Sequence, residues 1–216
     1  MLPNKFLMYV GVLQGHASIA LTNKESETMT WLHDWLPVGS GKRRRVLCIG
    51  CADGAEVKAL NELGYAATGI TIGANNVEYG KKEYGNIDIR EMDMHDLEFR
   101  PKSFDYAYSS HSFEHAFAPW IHIMEIWTVL KEGGLWFLEY PAYVEGTTDT
   151  TMLSHHHPNV LRSEEHKHMF EECGFEVLRS VNNTGREEKF LLRKSENNPM
   201  HDAIRTAYRV RSEMFV

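Results

Sequence analysis

Val46-Leu47-Cys48-Ile49-Gly50-Cys51-Ala52-Asp53-Gly54-Ala55-Glu56 is the stretch on which the reading of this chain turns. Four apolar residues make a short strand of the buried kind, which stops at Gly50. From Ala55 the apolar spacing becomes helical, with Val57, Leu60 and Leu63 on one face and Gly64 as the stop. A strand that feeds a helix through a tight glycine turn opens a parallel sheet with crossover helices. In such a sheet a ligand lies beyond the carboxyl ends of the strands, where glycine lets the backbone come close and the helix N-terminus favours a carboxylate or phosphate. Gly-x-Ala-x-Gly is not the Gly-x-Gly-x-x-Gly spacing of a dinucleotide site.

Outward from this turn the alternation continues. The patterns predict strands over 66–72, 87–92, 104–108 and 135–138, and helices over 75–84, 117–131 and 163–173, the last with Ser163 as N-cap. Strands over 175–181 and 189–193 come next, joined by the turn Asn182-Asn183-Thr184-Gly185. The expected fold is α/β, a Rossmann-like doubly wound sheet, mostly parallel with one antiparallel edge strand, in a single domain over 41–196. A helical flank is expected over 1–40, with its helix at 26–36, and a helical tail over 197–216.

Composition narrows the class. The chain has 216 residues with 23 Lys+Arg and 30 Asp+Glu, a net charge of −7. That balance argues against a general nucleic-acid binder, which needs a basic stripe to displace counterions. The run Lys42-Arg43-Arg44-Arg45 is too short for such a patch and reads as a solvated loop. No apolar run reaches the roughly 20 residues of a membrane span. Lys5 and the apolar run after it are a poor secretory signal, because Gln14 and His16 break the run at once. Three cysteines do not make a disulfide framework, so a reducing, cytoplasmic location is expected. Cys48 and Cys51 have the spacing of a redox pair or half a zinc site, but only Cys173 remains to complete one, and packing is the preferred reading.

Five segments in order resemble the class I S-adenosylmethionine-dependent methyltransferases over about 46–193: the Val46–Gly54 loop, Gly69-Ile70-Thr71-Ile72-Gly73, Met92-Asp93-Met94-His95-Asp96-Leu97, the run from Ser103 to His115, and Leu130-Lys131-Glu132-Gly133-Gly134. The resemblance implies S-adenosyl-L-methionine as cofactor. It places Gly50, Cys51, Ala52 and Gly54 under the methionine moiety, Thr71 and Ile72 beside the ribose with help from Asn76, Asp93 on the adenine amino group with Met94 and His95, and Ser110 near the methyl. Two positions depart from the family pattern: Cys48 stands where an acid is usual, and Thr71 offers a hydroxyl in place of a carboxylate.

Seven of the twelve histidines lie in two groups, His111 with His115, and His155-His156-His157 with His166 and His168. In-line methyl transfer to a hydroxyl or protonated amine needs near-attack geometry and a base, and histidine suits the second task. The resemblance places His111, Glu114 and His115 beside the reacting methyl, and Tyr140, Tyr143 and the triple histidine, taken here at His156, near the acceptor. Certain relatives hold a divalent ion in a Glu-x-x-Glu-His corner. The equivalent set here would be His111, Glu114, His115 and a loop histidine, favouring Zn²⁺, Fe²⁺ or Mn²⁺. A metal-free base is the preferred reading, and a resident metal stays open. The expected function is methyl transfer to oxygen or nitrogen of a small-molecule acceptor, with oligomeric state undetermined. The alternatives are a catalytically silent cofactor-binding subunit and a His-x-x-Glu-His metallopeptidase.

Overall fold

The computed structural model describes residues 35, 43–143, 157–159, 161–183, 187–196, 198 and 200. Among them the elements run β1 (Arg45–Ile49), α1 (Ala55–Glu62), β2 (Ala66–Thr71), α2 (Ala74–Tyr84), β3 (Asp88–Glu91), β4 (Phe104–Ser110), a 3-10 turn (Phe113–His115), α3 (Pro119–Val129), β5 (Leu130–Pro141), α4 (Ser163–Glu172), β6 (Phe175–Asn183) and β7 (Glu187–Lys194). The strands form one seven-stranded sheet in the order β3-β2-β1-β4-β5-β7-β6. Pairing is parallel for β1 with β2, β2 with β3 and β4 with β5, while β7 runs antiparallel to both β5 and β6. This is the expected Rossmann-like sheet. Its antiparallel pair closes one edge, with β7 one place in and β6 outermost.

Two compact units divide at 93/94. In the first, Val46, Leu47, Cys48 and Ile49 are all buried, which is why β1 reads as an unbroken apolar run and not as an alternation. Val57 and Leu60 bury the inner face of α1. Leu63, expected with them, caps the helix and is 45% exposed, because the chain has already turned toward Gly64 at φ 91°. The one buried residue of α2 is Gly80. A Cβ there would overlap the carbonyl oxygen of Asp53, so the helix backbone lies directly on the loop after β1.

In the second unit the core is aromatic. Phe113 is fully buried, its ring centroid 5.5 Å from Tyr140 and Phe170 and 6.0 Å from Trp136. Burying a ring of this size is worth about 2–3 kcal/mol, so Phe113 anchors the turn that carries it.

Three local expectations are corrected. The helix expected over 117–131 is confined to Pro119–Val129, since Pro119 suits the first helical turn and Leu130 already pairs with Phe104 as the start of β5. Across the irregularity after that pair, β4 advances from Phe104 to Tyr106 while β5 advances from Leu130 to Leu135, so Gly133-Gly134 sit in a bulged strand and not at a helix end. Ser163 is the first residue of α4 and not its cap. Its hydroxyl donates to Glu188 Oε1 at 2.6 Å, and Arg162 precedes the helix with its N–H donating to Glu165 Oε2 at 2.9 Å. The expected helix over 26–36 lies outside the described residues except for Trp35. The tail is described only at Asn198 and Met200, and Thr184-Gly185 lie outside as well.

Gly80→Ala is expected to destabilise the fold by about 1–3 kcal/mol through overpacking against Asp53, read as a lower midpoint in denaturant unfolding. An unchanged midpoint would show that α2 yields there without cost.

Candidate functional site

The first unit contributes the loop after β1. Gly50, Ala52 and Gly54 have φ values of 68°, 46° and 90°, so three of its five residues are left-handed. Ala52 in that region costs roughly 1 kcal/mol, and the surroundings hold it there. The Cys51 N–H donates to Ile70 O at 3.0 Å and the Gly54 N–H to Cys51 O at 2.7 Å. Asp53, absent from the expected set, fixes both neighbouring helices. Its Oδ1 accepts the Ala55 N–H at 3.2 Å and its Oδ2 the Tyr84 hydroxyl at 3.4 Å. An Asp two residues before a helical run is a capping signal, so the sequence did carry this one. The glycine at 54 suits its φ of 90°, and a Cβ there would also meet the tip of Ile87, 2.6 Å from Cδ1.

At the end of β2, Thr71 is buried and Ile72 is exposed. The Asn76 amide donates to Thr71 Oγ1 at 3.4 Å and to Ile72 O at 3.1 Å, so Asn76 braces this strand end. Asp93 is half-buried just beyond β3. Cys48 donates its thiol proton to Glu56 Oε2 at 3.3 Å, and burial pushes its pKa well up. A carboxylate therefore does reach this position, from α1. Cys48, Cys51 and Cys173 are all buried free thiols, which matches the packing reading.

The second unit holds the remaining expected residues. Met94 O accepts the His122 Nδ1–H at 3.0 Å, and His95 Nε2 accepts the Ala118 N–H at 3.4 Å with its ring 3.9 Å from that of Phe117. Ser110, half-buried, ends β4 opposite Glu139. His111 comes next at φ 48°, its N–H donating to Glu139 O at 2.9 Å. Its Nδ1 lies 3.6 Å from Glu114 Oε1 and its Nε2 3.6 Å from Glu187 Oε1. Glu114 is 1% exposed, and its Oε2 makes no hydrogen bond. Burial penalises the charge of Glu114, yet the hydrogen bond from His111 and the proximity of His115 hold its carboxyl below the usual range.

His156 lies outside the described residues. His157 takes its place, with its ring centroid 4.9 Å from that of His115. Asn159, two residues on, ties this loop to the corner. Its N–H donates to Glu114 O at 3.2 Å, and its Nδ2 donates to Phe113 O at 3.1 Å. Asn159 Oδ1 faces His166 Nε2 at 3.2 Å, and His166 Nδ1 faces the Tyr140 hydroxyl at 2.8 Å. Burial lowers the His166 pKa to about 4 and raises that of Tyr140 well above its ordinary value. Both groups are therefore neutral at pH 7. The Tyr140 O–H donates to Nδ1, and Nε2–H donates to Asn159, so every member is matched. Tyr140, expected near the acceptor, is buried in this network instead; Tyr143 has its ring 5.9 Å from the Arg162 guanidinium carbon.

Among the described residues, two groups of side chains in this unit bring ligand-type atoms within 4.8 Å of one another: Glu114 with His115 and His157, and His111 with Glu139 and Glu187. Two imidazoles and a carboxylate suit a first-row divalent ion. In the second group the Lys189 ammonium already lies 3.1 Å from Glu139 Oε1. His111 and His115 thus belong to different groups, with Glu114 between them on a 3-10 turn. The helix-borne histidine pair of a His-x-x-Glu-His peptidase is not formed. Glu139, Glu187, Lys189 and Asn159 were absent from the expected set, although a glutamate inside the apolar run Leu135–Tyr140 is a visible anomaly.

Residues 47–138 match the family described as "Methyltransferase domain". The matched stretch is 92 of the 216 residues, so the likeness to a methyltransferase domain holds for under half of the chain. It is 31% identical over 94 residues to a sterol 4-C-methyltransferase of Caenorhabditis elegans, a match covering 41% of this chain and 28% of that protein, so this chain spans well under half of its curated relative. Among solved structures, it is similar to a Haloferax volcanii protein in complex with the Trm112 methyltransferase activator, with a TM-score of 0.70 and 17% identity over 79% of this chain and 90% of the other. It is also similar to Haemonchus contortus phosphoethanolamine N-methyltransferase 2 in complex with S-adenosyl-L-methionine, with a TM-score of 0.69 and 15% identity over 79% of this chain and 53% of the other. At these identities the two structures show the fold alone. The family implies S-adenosyl-L-methionine as its cofactor.

The neutral state of His166 makes the second unit acid-sensitive. Its folded pKa lies below the unfolded value of 6.5, so its contribution is complete above pH 6.5 and is lost as pH falls toward 4. Wild type should lose about 2–3 kcal/mol more than His166→Gln over that interval in urea unfolding. Parallel pH profiles for the two proteins would refute this assignment.

Proposed function

We propose that the protein transfers a methyl group from S-adenosyl-L-methionine to oxygen or nitrogen of a small-molecule acceptor. The observation that carries this reading is the left-handed Gly50–Gly54 turn at the end of β1, in a chain whose residues 47–138 match the methyltransferase family. The turn carries no side chain beyond a methyl at 50, 52 and 54, which leaves backbone available at the carboxyl end of β1, where this fold binds its ligand. Gly50, Cys51, Ala52 and Gly54 would receive the methionine moiety. Thr71, Ile72 and Asn76 would lie along the ribose, Asp93, Met94 and His95 along the adenine, and Ser110 near the methyl. The cofactor supplies a methyl on a sulfonium, already activated for displacement.

The protein's own contribution is to orient the acceptor and remove its proton. His111 is the base in this reading. Its Nδ1 lies 3.6 Å from the buried Glu114 carboxylate, whose charge would stabilise the imidazolium formed on proton uptake. Glu114 is held in turn by Asn159 through its backbone oxygen. His115 and His157 extend the corner, and in the metal reading they would join Glu114 as ligands.

S-adenosylhomocysteine is expected to raise the melting temperature, since it binds only the folded chain. Asp93→Ala should weaken that binding by about 1–3 kcal/mol through a lost charge-assisted hydrogen bond, measured by calorimetric titration. No thermal shift at saturating ligand would remove the cofactor assignment. Once the acceptor is identified by tracing labelled methyl into a metabolite extract, His111→Ala should lower the rate by about 10²–10⁴ while chelators leave it unchanged. Stoichiometric metal lost together with activity would overturn the metal-free base.

A further inference from the structure

Trp120, Ile121, Met124 and Trp127 recur at helical spacing and form one apolar stripe along α3. His122, Ile123 and Ile126 take the core-facing side and are fully buried. The stripe is covered unevenly. Met124 is 9% exposed, whereas Trp120 is 37% and Ile121 51% exposed, and Phe117, just before the helix, is 49% exposed. Large apolar side chains exposed next to one another mark a surface that another element covers.

The better covered part of the stripe is met by the chain that leaves β7. Lys194, the last residue of β7, sets its ammonium 3.9 Å from the centre of the Trp127 ring. Four residues on, the buried Asn198 points Nδ2 at Met124 Sδ, 3.6 Å away, and donates to Cys173 O. Met200 then brings its Sδ to 3.8 Å from Cys173 Sγ, just past the end of α4. As the chain advances from 194 to 198, its contacts retreat along α3 from 127 to 124, so it runs antiparallel to the helix. One turn further along the same path lie Ile121 and Trp120, and then Phe117. Met200 is helical and follows Pro199, a residue suited to a first helical turn. Residues 201–216 lie outside the described residues, and their sequence continues the helical pattern. Met200, Ala203, Ile204, Ala207 and Tyr208 share one face, with Asp202, Arg205 and Arg209 on the other. A helix over 200–208 would span about 12 Å, enough to pass Ile121 and Trp120 and reach Phe117.

We propose that residues 201–211 dock as a helix antiparallel to α3, laying Ile204, Ala207 and Tyr208 on Ile121, Trp120 and Phe117. The occupant of this face is the chain's own tail, because Asn198 already covers the neighbouring turn and the path of 194–198 leads along the stripe. A second copy would have to share that face with Asn198. The docked helix also bears on the segment before α3. Phe117 has its ring 3.9 Å from that of His95, and the Ala118 N–H donates to His95 Nε2, so the tail braces His95 through both. Docking of the tail does not depend on methyl transfer.

The test places the photo-crosslinking residue p-benzoylphenylalanine at Trp120 of the full chain, and at Ile121 in a second variant. Products are mapped by mass spectrometry. Crosslinks within one chain to residues 203–211 are expected, and Ile204→Asp should abolish them. Hydrogen exchange gives an independent readout. Ile121→Asp changes a residue that is half-exposed, so β4 and β5 should stay protected while the amides of 203–208 exchange roughly tenfold faster. Crosslinks to residues 1–34, crosslinks between two copies, or none at either position would each overturn the docking. So would exchange at 203–208 that is as fast in the unchanged chain as in Ile121→Asp.

Discussion

The hydrogen bond from the His111 N–H to Glu139 O carries the pairing of β4 with β5 one residue beyond the end of β4. The chain then reverses sharply, with His111 held at positive φ, and drops Phe113 into the aromatic core. The whole corner depends on that reversal. The burial of Phe113 fixes the 3-10 turn, the turn places Glu114 Oε1 3.6 Å from His111 Nδ1, and the backbone oxygens of 113 and 114 become the acceptors that Asn159 requires. A β-region residue at 111 would send the chain out of the sheet and dissolve the corner. The strain of a left-handed histidine, of order 1 kcal/mol, is small against the burial of one aromatic ring.

Two kinds of polar burial sit side by side in the second unit, with opposite chemical meaning. The chain from Tyr140 through His166 to Asn159 is fully matched, donor to acceptor, and its buried histidine is neutral. Such a network rigidifies and leaves nothing for a ligand to complete. Beside it, the buried Glu114 keeps Oε2 without a hydrogen bond among the described residues. The distinction also explains why Tyr140, a residue type expected to face an acceptor, is structural here.

The loop after β1 shows the reverse relation between sequence and use. Its glycines look like concessions to a ligand, yet Gly54 answers to its own φ of 90°, and Gly80 of α2 to the Asp53 carbonyl. The loop holds its shape through its own packing, so a site there is formed before any ligand arrives. Asp53 strengthens this by capping α1 and bonding Tyr84 of α2. Preformed geometry of this kind lowers the ordering cost of binding.

The sequence by itself determined the strand–helix alternation, the glycine turn and the order of the family segments. Each rests on local patterns of about 5 to 15 residues, and β1 as an unbroken apolar run left little choice of burial. It also placed His111, Glu114 and His115 in one corner, because they are neighbours in the chain. Element ends were less legible. Leu130 leaves α3 for β5 only because Phe104 is there to pair with it, and Ser163 gave up the cap for Glu188. Only the tertiary structure brought Glu139, Glu187 and Lys189 to His111 and Asn159 to Glu114, since those residues are separated by 28 to 78 positions in the chain. Such meetings are set by strand register, and register is decided by how side chains pack across the whole sheet, a quantity that no local window of sequence contains.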